Sequence, residues 1–427
     1  MDKLDQLPPR LVPVLYFGLA RVALALACLA VAAYPGQLAA FVYQPRLLAV
    51  VHLVTLGWIT ASILGALYIV GPMALRMTLP ARAYDYWAFA IFAIGAAGMV
   101  SHFWIEQFSG MAWSALMALT GIAMVVARTA VALGRAKVPG FVRLHLWLAF
   151  ANILIAAVFG VLLGFDKSRH VLPGYVLANV YAHAHLAAIG WATMMVFGVG
   201  YRLIPMLLPA AMPSGRGPWM TAVLLEAGVL GVATGLLLRA RWTGVFALVT
   251  AAAVVSFLRS VIRMRRDRRP PPAAMPRPDY GMIQVGSAFL SLMAATVIGV
   301  ALAFLPPSSA ALRAQLAYGV LGLVGFLAQM VAGVELRLLP MFAWYRAFAD
   351  RHERGLPPNP HAMPLRAAQR WSALAWIVAV PILTLGFATD VAVVVRAGAA
   401  LLLAGVVAGS IDMVVILRHA FGQGVKP

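Results

Sequence analysis

Three stretches decide how this chain is read: GWITASILGALYIVGPM at 57–73, GWATMMVFGVGYRLIPM at 190–206 and GFLAQMVAGVELRLLPM at 325–341. All three fit one gapless pattern of Gly, aromatic, six residues, Gly, six residues, Pro-Met. The matched positions are Gly57/Gly190/Gly325, Trp58/Trp191/Phe326, Gly65/Gly198/Gly333, Pro72/Pro205/Pro340 and Met73/Met206/Met341. The starts lie 133 and 135 residues apart, enough for four membrane spans per unit. Small residues let helix backbones approach closely. The aromatic is expected to fill the space between helices, and the Pro to stop each helix at a membrane surface.

The rest of the chain fits that frame. A membrane helix needs about 20 mainly apolar residues. Twelve segments qualify, near 12–34, 48–70, 86–107, 111–133, 143–165, 179–203, 219–240, 242–262, 282–305, 315–338, 371–388 and 391–417. The expected fold class is all-α: one polytopic transmembrane domain of twelve helices, in three four-helix units near 12–133, 143–262 and 282–417, with helices two, six and ten lining the centre. Of the 427 residues 63% are hydrophobic and 11% charged, against about 45–50% and about 25% in soluble domains. That excludes a soluble enzyme, a disordered chain and a secreted disulfide scaffold. Cys28 is the single cysteine, so there is neither a disulfide nor a thiolate cluster. The first apolar run is expected to be a retained helix, because acids and prolines precede it and no small-residue cleavage site follows.

The net charge of +20 is a topology signal. With the N-terminus inside, 25 basic residues fall on the inner side and seven on the outer, with Arg21 inside the first helix. The positive-inside rule then puts both termini in the cytoplasm of a cell inner membrane. Nucleic acid is not an expected partner; the lipid bilayer is.

Ionisable groups within a membrane are functional candidates. His52 and His185 each lie five residues before the glycine that opens their repeat, and His183 forms HAH with His185. Residues two apart on a helix point about 200° apart. One imidazole of HAH is therefore aimed towards helix two and the other towards helix ten, where Tyr318 and Val320 replace the two histidines. Neutral imidazole ligates haem iron, and a pair from two helices holds a low-spin haem. The alternative is a set of core histidines satisfied by hydrogen bonds. Copper or zinc also accepts imidazole, but this spacing does not aim two ligands at one small ion. His102 is expected to be structural or to support the ligands; His145, His170, His352, His361 and His419 are expected to be solvated.

Twelve spans, both termini inside and histidines near the outer ends of repeated helices resemble subunit I of the heme-copper oxidases and nitric oxide reductases. AHAHLAAIGWATMMVFGVGYRLIPML at 182–207 is similar to that family's H-x-H helix, and VHLVTLGWITASILGALY at 51–68 to its second helix. The resemblance implies haem b, one or two, with His52 as one axial ligand. His183 and His185 are implied opposite it or on a second haem, with Tyr318 facing the site. It also implies a quinol or cytochrome c as electron donor, and further membrane subunits. The family's H-x-H lies on the tenth span, however, and its copper centre uses histidines of spans six and seven. Helix seven here has none, so copper is not expected. The NnrS-like membrane proteins, linked to nitric-oxide response, are a looser likeness.

Glu226, Glu335 and Asp412 are the buried carboxylates, expected to relay protons or to serve as packing groups. Arg21 needs a carboxylate, a carbonyl or water, and Glu335 and Arg337 are too close along one helix to pair. Arg46, Arg239, Arg241 and Arg396 are read at the outer surface, where haem propionates would emerge. The leading functional reading is a haem-binding redox membrane protein, in electron transfer or in reduction of or response to O2 or NO. Against it stand a transporter or channel, and an assembly or interaction subunit that kept the fold without the cofactor.

Overall fold

The computed structural model describes residues 7–271, 275–348 and 359–421; His352, Lys3 and Lys426 lie outside them. Among the described residues twelve helices are long and apolar enough to cross a membrane, and the protein is an all-α polytopic membrane protein. They are α1 (Leu11–Ala33), α2 (Pro45–Ala74), α3 (Ala83–Trp104), α4 (Met111–Arg135), α5 (Gly140–Arg169) and α6 (Val176–Leu207), then α7 (Gly217–Leu237), α8 (Thr243–Arg266), α9 (Tyr280–Phe304), α10 (Ser309–Phe348), α11 (Arg366–Thr389) and α12 (Ala392–Ala420). Local chemistry sets several ends. Asp279 and Ser308 accept from the Met282 and Ala311 amides as N-caps of α9 and α10. His170 and Asp390 close α5 and α11 in the left-handed region.

The hairpins α3/α4, α7/α8 and α11/α12 pack closely. Glycine makes that closeness possible: a Cβ on Gly95 would lie 2.3 Å from the Ala118 nitrogen. Along the chain α4 packs on α5, α8 on α9, and α12 returns to α1, so the bundle closes on itself.

Helices α2, α6 and α10 share an unexpected feature. Each contains a π-helical segment: Leu53–Thr60, Leu186–Thr193 and Val320–Ala328. All three end three residues after the glycine that opens the repeat. Long π runs are rare and concentrate at functional sites. The three segments touch one another in the interior, and two indoles link them. Trp58 Nε1 donates to the Ala328 carbonyl at 3.1 Å, and Trp191 Nε1 to Thr60 Oγ1 at 3.2 Å. Each acceptor sits at the last π residue of another repeat. Phe326 has no side-chain N–H to make a third link, and Thr193 donates instead to the Ala188 carbonyl of its own helix at 2.9 Å.

Two of the three repeat prolines lie at helix ends, as the sequence predicts: α2 and α6 stop two residues after Pro72 and Pro205, at Ala74 and Leu207. The third does not, because α10 continues from Pro340 to Phe348. A proline leaves the carbonyl four residues earlier without its donor. In α10 that carbonyl belongs to Leu336, and Gln369 of α11 donates to it at 3.3 Å. The side chain replaces the missing bond, and the helix continues for two more turns.

Candidate functional site

The candidate site lies at the N-terminal entrance to the π segments. His52 is the last α-helical residue before the first, and His185 the last before the second. Each ring is oriented by its own helix: Nδ1 of His52 bonds the Leu48 carbonyl at 2.7 Å, and Nδ1 of His185 that of Tyr181 at 2.8 Å. His183 reaches across to α5, with Nδ1 3.0 Å from the Ala156 carbonyl. A carbonyl only accepts, so all three rings carry their proton on Nδ1 and present the Nε2 lone pair. This is the tautomer in which a histidine ligates a metal through Nε2, with the second nitrogen held by a backbone carbonyl.

The two imidazoles of HAH diverge. His183 turns to α5, where it bonds the Ala156 carbonyl and meets Phe159. His185 turns to α10 and stacks on Tyr318, with ring centroids 6.0 Å apart, and its Nε2 lies 3.4 Å from the Tyr318 hydroxyl. The structure thus turns His183 towards α5 and pairs His185 with Tyr318. Aromatic rings hold the others: His52 stacks on Phe103 at 5.1 Å, and Phe159 meets His183 edge-on at 6.2 Å.

Two glycines make room for these rings. A Cβ on Gly160 of α5 would sit 3.1 Å from His183 Cε1, and one on Gly299 of α9 would sit 2.9 Å from the Tyr318 ring. All three histidines and Tyr318 are only half-buried, as are the π-segment residues Leu53 and Val320 to Val324. Cβ atoms built on Gly319 and Gly322 would meet no atom within 4 Å. The site therefore has space beside the rings. Apolar and aromatic side chains surround the three imidazoles. Among the described residues no group of three or more His, Cys, Asp or Glu side chains could hold a metal ion.

The remaining histidines divide. His102 binds the Gln107 carbonyl at 2.7 Å and packs on Gly110, in the turn after α3. His170 is exposed. His145 corrects the expectation of a solvated residue. It is fully buried, its Nδ1 bonds the Phe141 carbonyl at 2.8 Å, and Tyr201 meets it edge-on. A Cβ on Gly198 would lie 2.5 Å from His145 Cβ, so α5 and α6 close over it. His361 and His419 are half-buried, not fully solvated. For His361, burial and then the Arg337 charge push its pKa down, opposed by Asp279.

Each buried carboxylate has a partner. Glu335 pairs with Arg21 at 2.5 Å, both almost wholly buried, and Arg21 lies over the Trp58 ring at 5.0 Å. Arg337 faces Asp279 instead, at 3.6 Å. Glu226 accepts from Asn152 at 2.8 Å. Asp412 accepts from the Leu365 amide at 2.6 Å and from Gln369 at 3.2 Å. Sequence reasoning missed Asp85, fully buried between Tyr68 at 2.8 Å and Arg128 at 3.1 Å. It precedes the apolar run of α3 and so looked like a loop residue. Of the arginines read at the outer surface, Arg46 lies 3.7 Å from Glu106, Arg239 lies over Tyr175, and Arg396 donates to the Ala32 carbonyl.

A cavity lies elsewhere in the bundle. It lies beyond the C-terminal ends of the π segments, between the second halves of α2, α6 and α10. No protein-family model matches the chain, and no curated protein does.

Proposed function

We propose that this membrane protein binds haem b between α2 and α6, with His52 and His183 as the axial pair. Its role on this reading is electron transfer, or the reduction of or response to a diatomic gas such as O2 or NO. The observation that carries the reading is the shared anchoring of the three imidazoles: each Nδ1 is tied to a backbone carbonyl, so that each ring turns its Nε2 away from its anchor. His183 is preferred to His185 opposite His52 because the Tyr318 hydroxyl already stands near the His185 Nε2. The carbonyl bonds raise the basicity of the ligating nitrogens and fix the ring planes before a cofactor arrives. Haem supplies a one-electron centre there and, where a coordination position is open, a place for a small gas. The His185–Tyr318 pair is then a polar contact beside the cofactor, or the start of a second, singly ligated site.

The reading includes a three-unit architecture around the linked π segments and both termini in the cytoplasm. The closed packing order, the Trp58 and Trp191 links and the count of basic residues support these. An absorption spectrum of the purified protein is the test. A low-spin b-type Soret band is expected, lost in His52→Ala and in His183→Ala and kept in His185→Ala. Haem content unchanged in all three variants removes the assignment. A carbon monoxide shift in the reduced protein would add a haem with an open position.

A further inference from the structure

The arginines at the open end of the α7/α8 hairpin have no part in the haem reading. Six of them fall between positions 259 and 269, against one acid, Asp267. All six are exposed, and among the described residues no carboxylate lies in ion-pair range of them. Their placement is regular. α8 is the least buried of the twelve spans. Val245, Leu248, Ala252 and Val255 form an exposed stripe along it, at the alternating steps of three and four that keep to one helix face. The same steps lead on through Arg259, Ile262 and Arg266, with Arg263 one turn after Arg259. The face that meets hydrocarbon thus becomes an arginine face without changing direction.

The partner helix marks the depth of that change. Gly235 faces Thr243 and Gly228 faces Thr250 across the hairpin, a register that brings Trp219 of α7 level with Arg259. Trp219 is 44% exposed, and tryptophan concentrates where hydrocarbon meets the headgroups. Arg216, also exposed, lies just before α7 at the same end. Arg259, Arg263 and Arg266 therefore begin in the headgroup layer and extend about 10 Å along the helix, at about 1.5 Å per residue. Guanidinium grips a phosphate through paired N–H donors. A soluble anion or a nucleic acid would use the arginines and leave the apolar stripe idle. An occupant that uses both has an anionic head and apolar tails.

We propose that this face of α8 binds an anionic phospholipid, its phosphate against Arg259, Arg263 and Arg266 and its acyl chains along Val255, Leu248 and Val245. The proposal is independent of the haem reading, and its readout does not involve haem. The test uses the full chain in nanodiscs holding equal amounts of phosphatidylglycerol and phosphatidylcholine with the same acyl chains, and native mass spectrometry counts the lipids that stay bound. Phosphatidylglycerol is expected to be enriched at least about fivefold, which is what a single arginine near an anionic surface contributes. Arg259→Gln, Arg263→Gln and Arg266→Gln together should bring the ratio towards one, and Lys at the same three positions should keep most of the enrichment. Arg239→Gln with Arg241→Gln, at the opposite end of the hairpin, should leave it unchanged. Equal retention of the two lipids means that the arginines only orient the chain in the membrane, and overturns the proposal. So does an enrichment that survives the three Gln substitutions, or that the Arg239 and Arg241 substitutions lower as much. An enrichment abolished by millimolar inorganic phosphate overturns it too, and assigns the arginines to a free anion.

Discussion

Helices α2 and α6 differ from α10 in chemistry far more than in backbone. All three carry the Gly-aromatic start, the π segment and the internal proline. Only α2 and α6 carry histidine before the π segment, and only they carry an indole that reaches another repeat. α10 has Tyr318 and Val320 there, Phe326 for the indole, and in its second half Gln329 and Glu335. The backbone deformation therefore does not depend on a ligand at its entrance. Of the three, only α2 and α6 carry histidines before the π segment, and only α10 carries a carboxylate, Glu335, beyond it.

The largest test of that contrast concerns the Arg21–Glu335 pair. Arg21→Leu or Glu335→Leu alone leaves a buried charge unpaired and should cost about 3–5 kcal/mol. The double substitution should recover most of that loss in thermal unfolding. Additive losses would mean that the two charges do not stabilise each other. Next come the indoles. Trp58→Phe makes α2 resemble α10 and leaves the Ala328 carbonyl without its donor, at about 1–3 kcal/mol. Trp191→Phe should cost less, because the Thr60 hydroxyl can turn to its own helix as Thr193 does. Equal costs for the two would refute the idea that the acceptor decides.

A smaller effect separates the ring-bearing entrances. Gly160→Ala pushes on the His183 ring, while Gly299→Ala pushes on Tyr318. On the proposed ligation the first should shift the Soret band and the second leave it in place, with stability changes of about 1–3 kcal/mol for either. A shift from Gly299→Ala alone would move the cofactor to the His185–Tyr318 side. The smallest effect lies outside the membrane, near the start of α11. Burial and Arg337 hold His361 below its ordinary value of 6.5, so the folded protein binds fewer protons there than the unfolded chain. Stability from this group is present above that value and falls as pH drops through it. Hydrogen exchange in the turn Pro360–Ala362 should rise on acidification, and His361→Gln should flatten the response.

The spans were legible because twelve apolar runs of membrane length leave little choice, and the repeat because glycine, aromatic and proline recur without a gap. The divergence of His183 and His185 follows from helical rotation alone. The π segments were not legible: widening the turn by one residue leaves an all-apolar stretch such as LGWIT unchanged in pattern. Nor was the continuation through Pro340, which depends on Gln369 about thirty positions later. Arg21 and Glu335 are separated by 314 residues, and the sequence shows only that each needs something. His145 read as solvated because its nearness to the end of α5 was visible and the approach of Gly198 was not.

Gln369 carries one more consequence. Its amide nitrogen serves the Leu336 carbonyl and the Asp412 carboxylate together, so one planar group joins α10, α11 and α12 by geometry alone. Both hydrogens are committed, and both neighbours are pure acceptors. The junction thus has a polarity, and a side chain of the same size that could only accept would repel both partners at once. A single NH2 group thus ties the middle of α10 to α12.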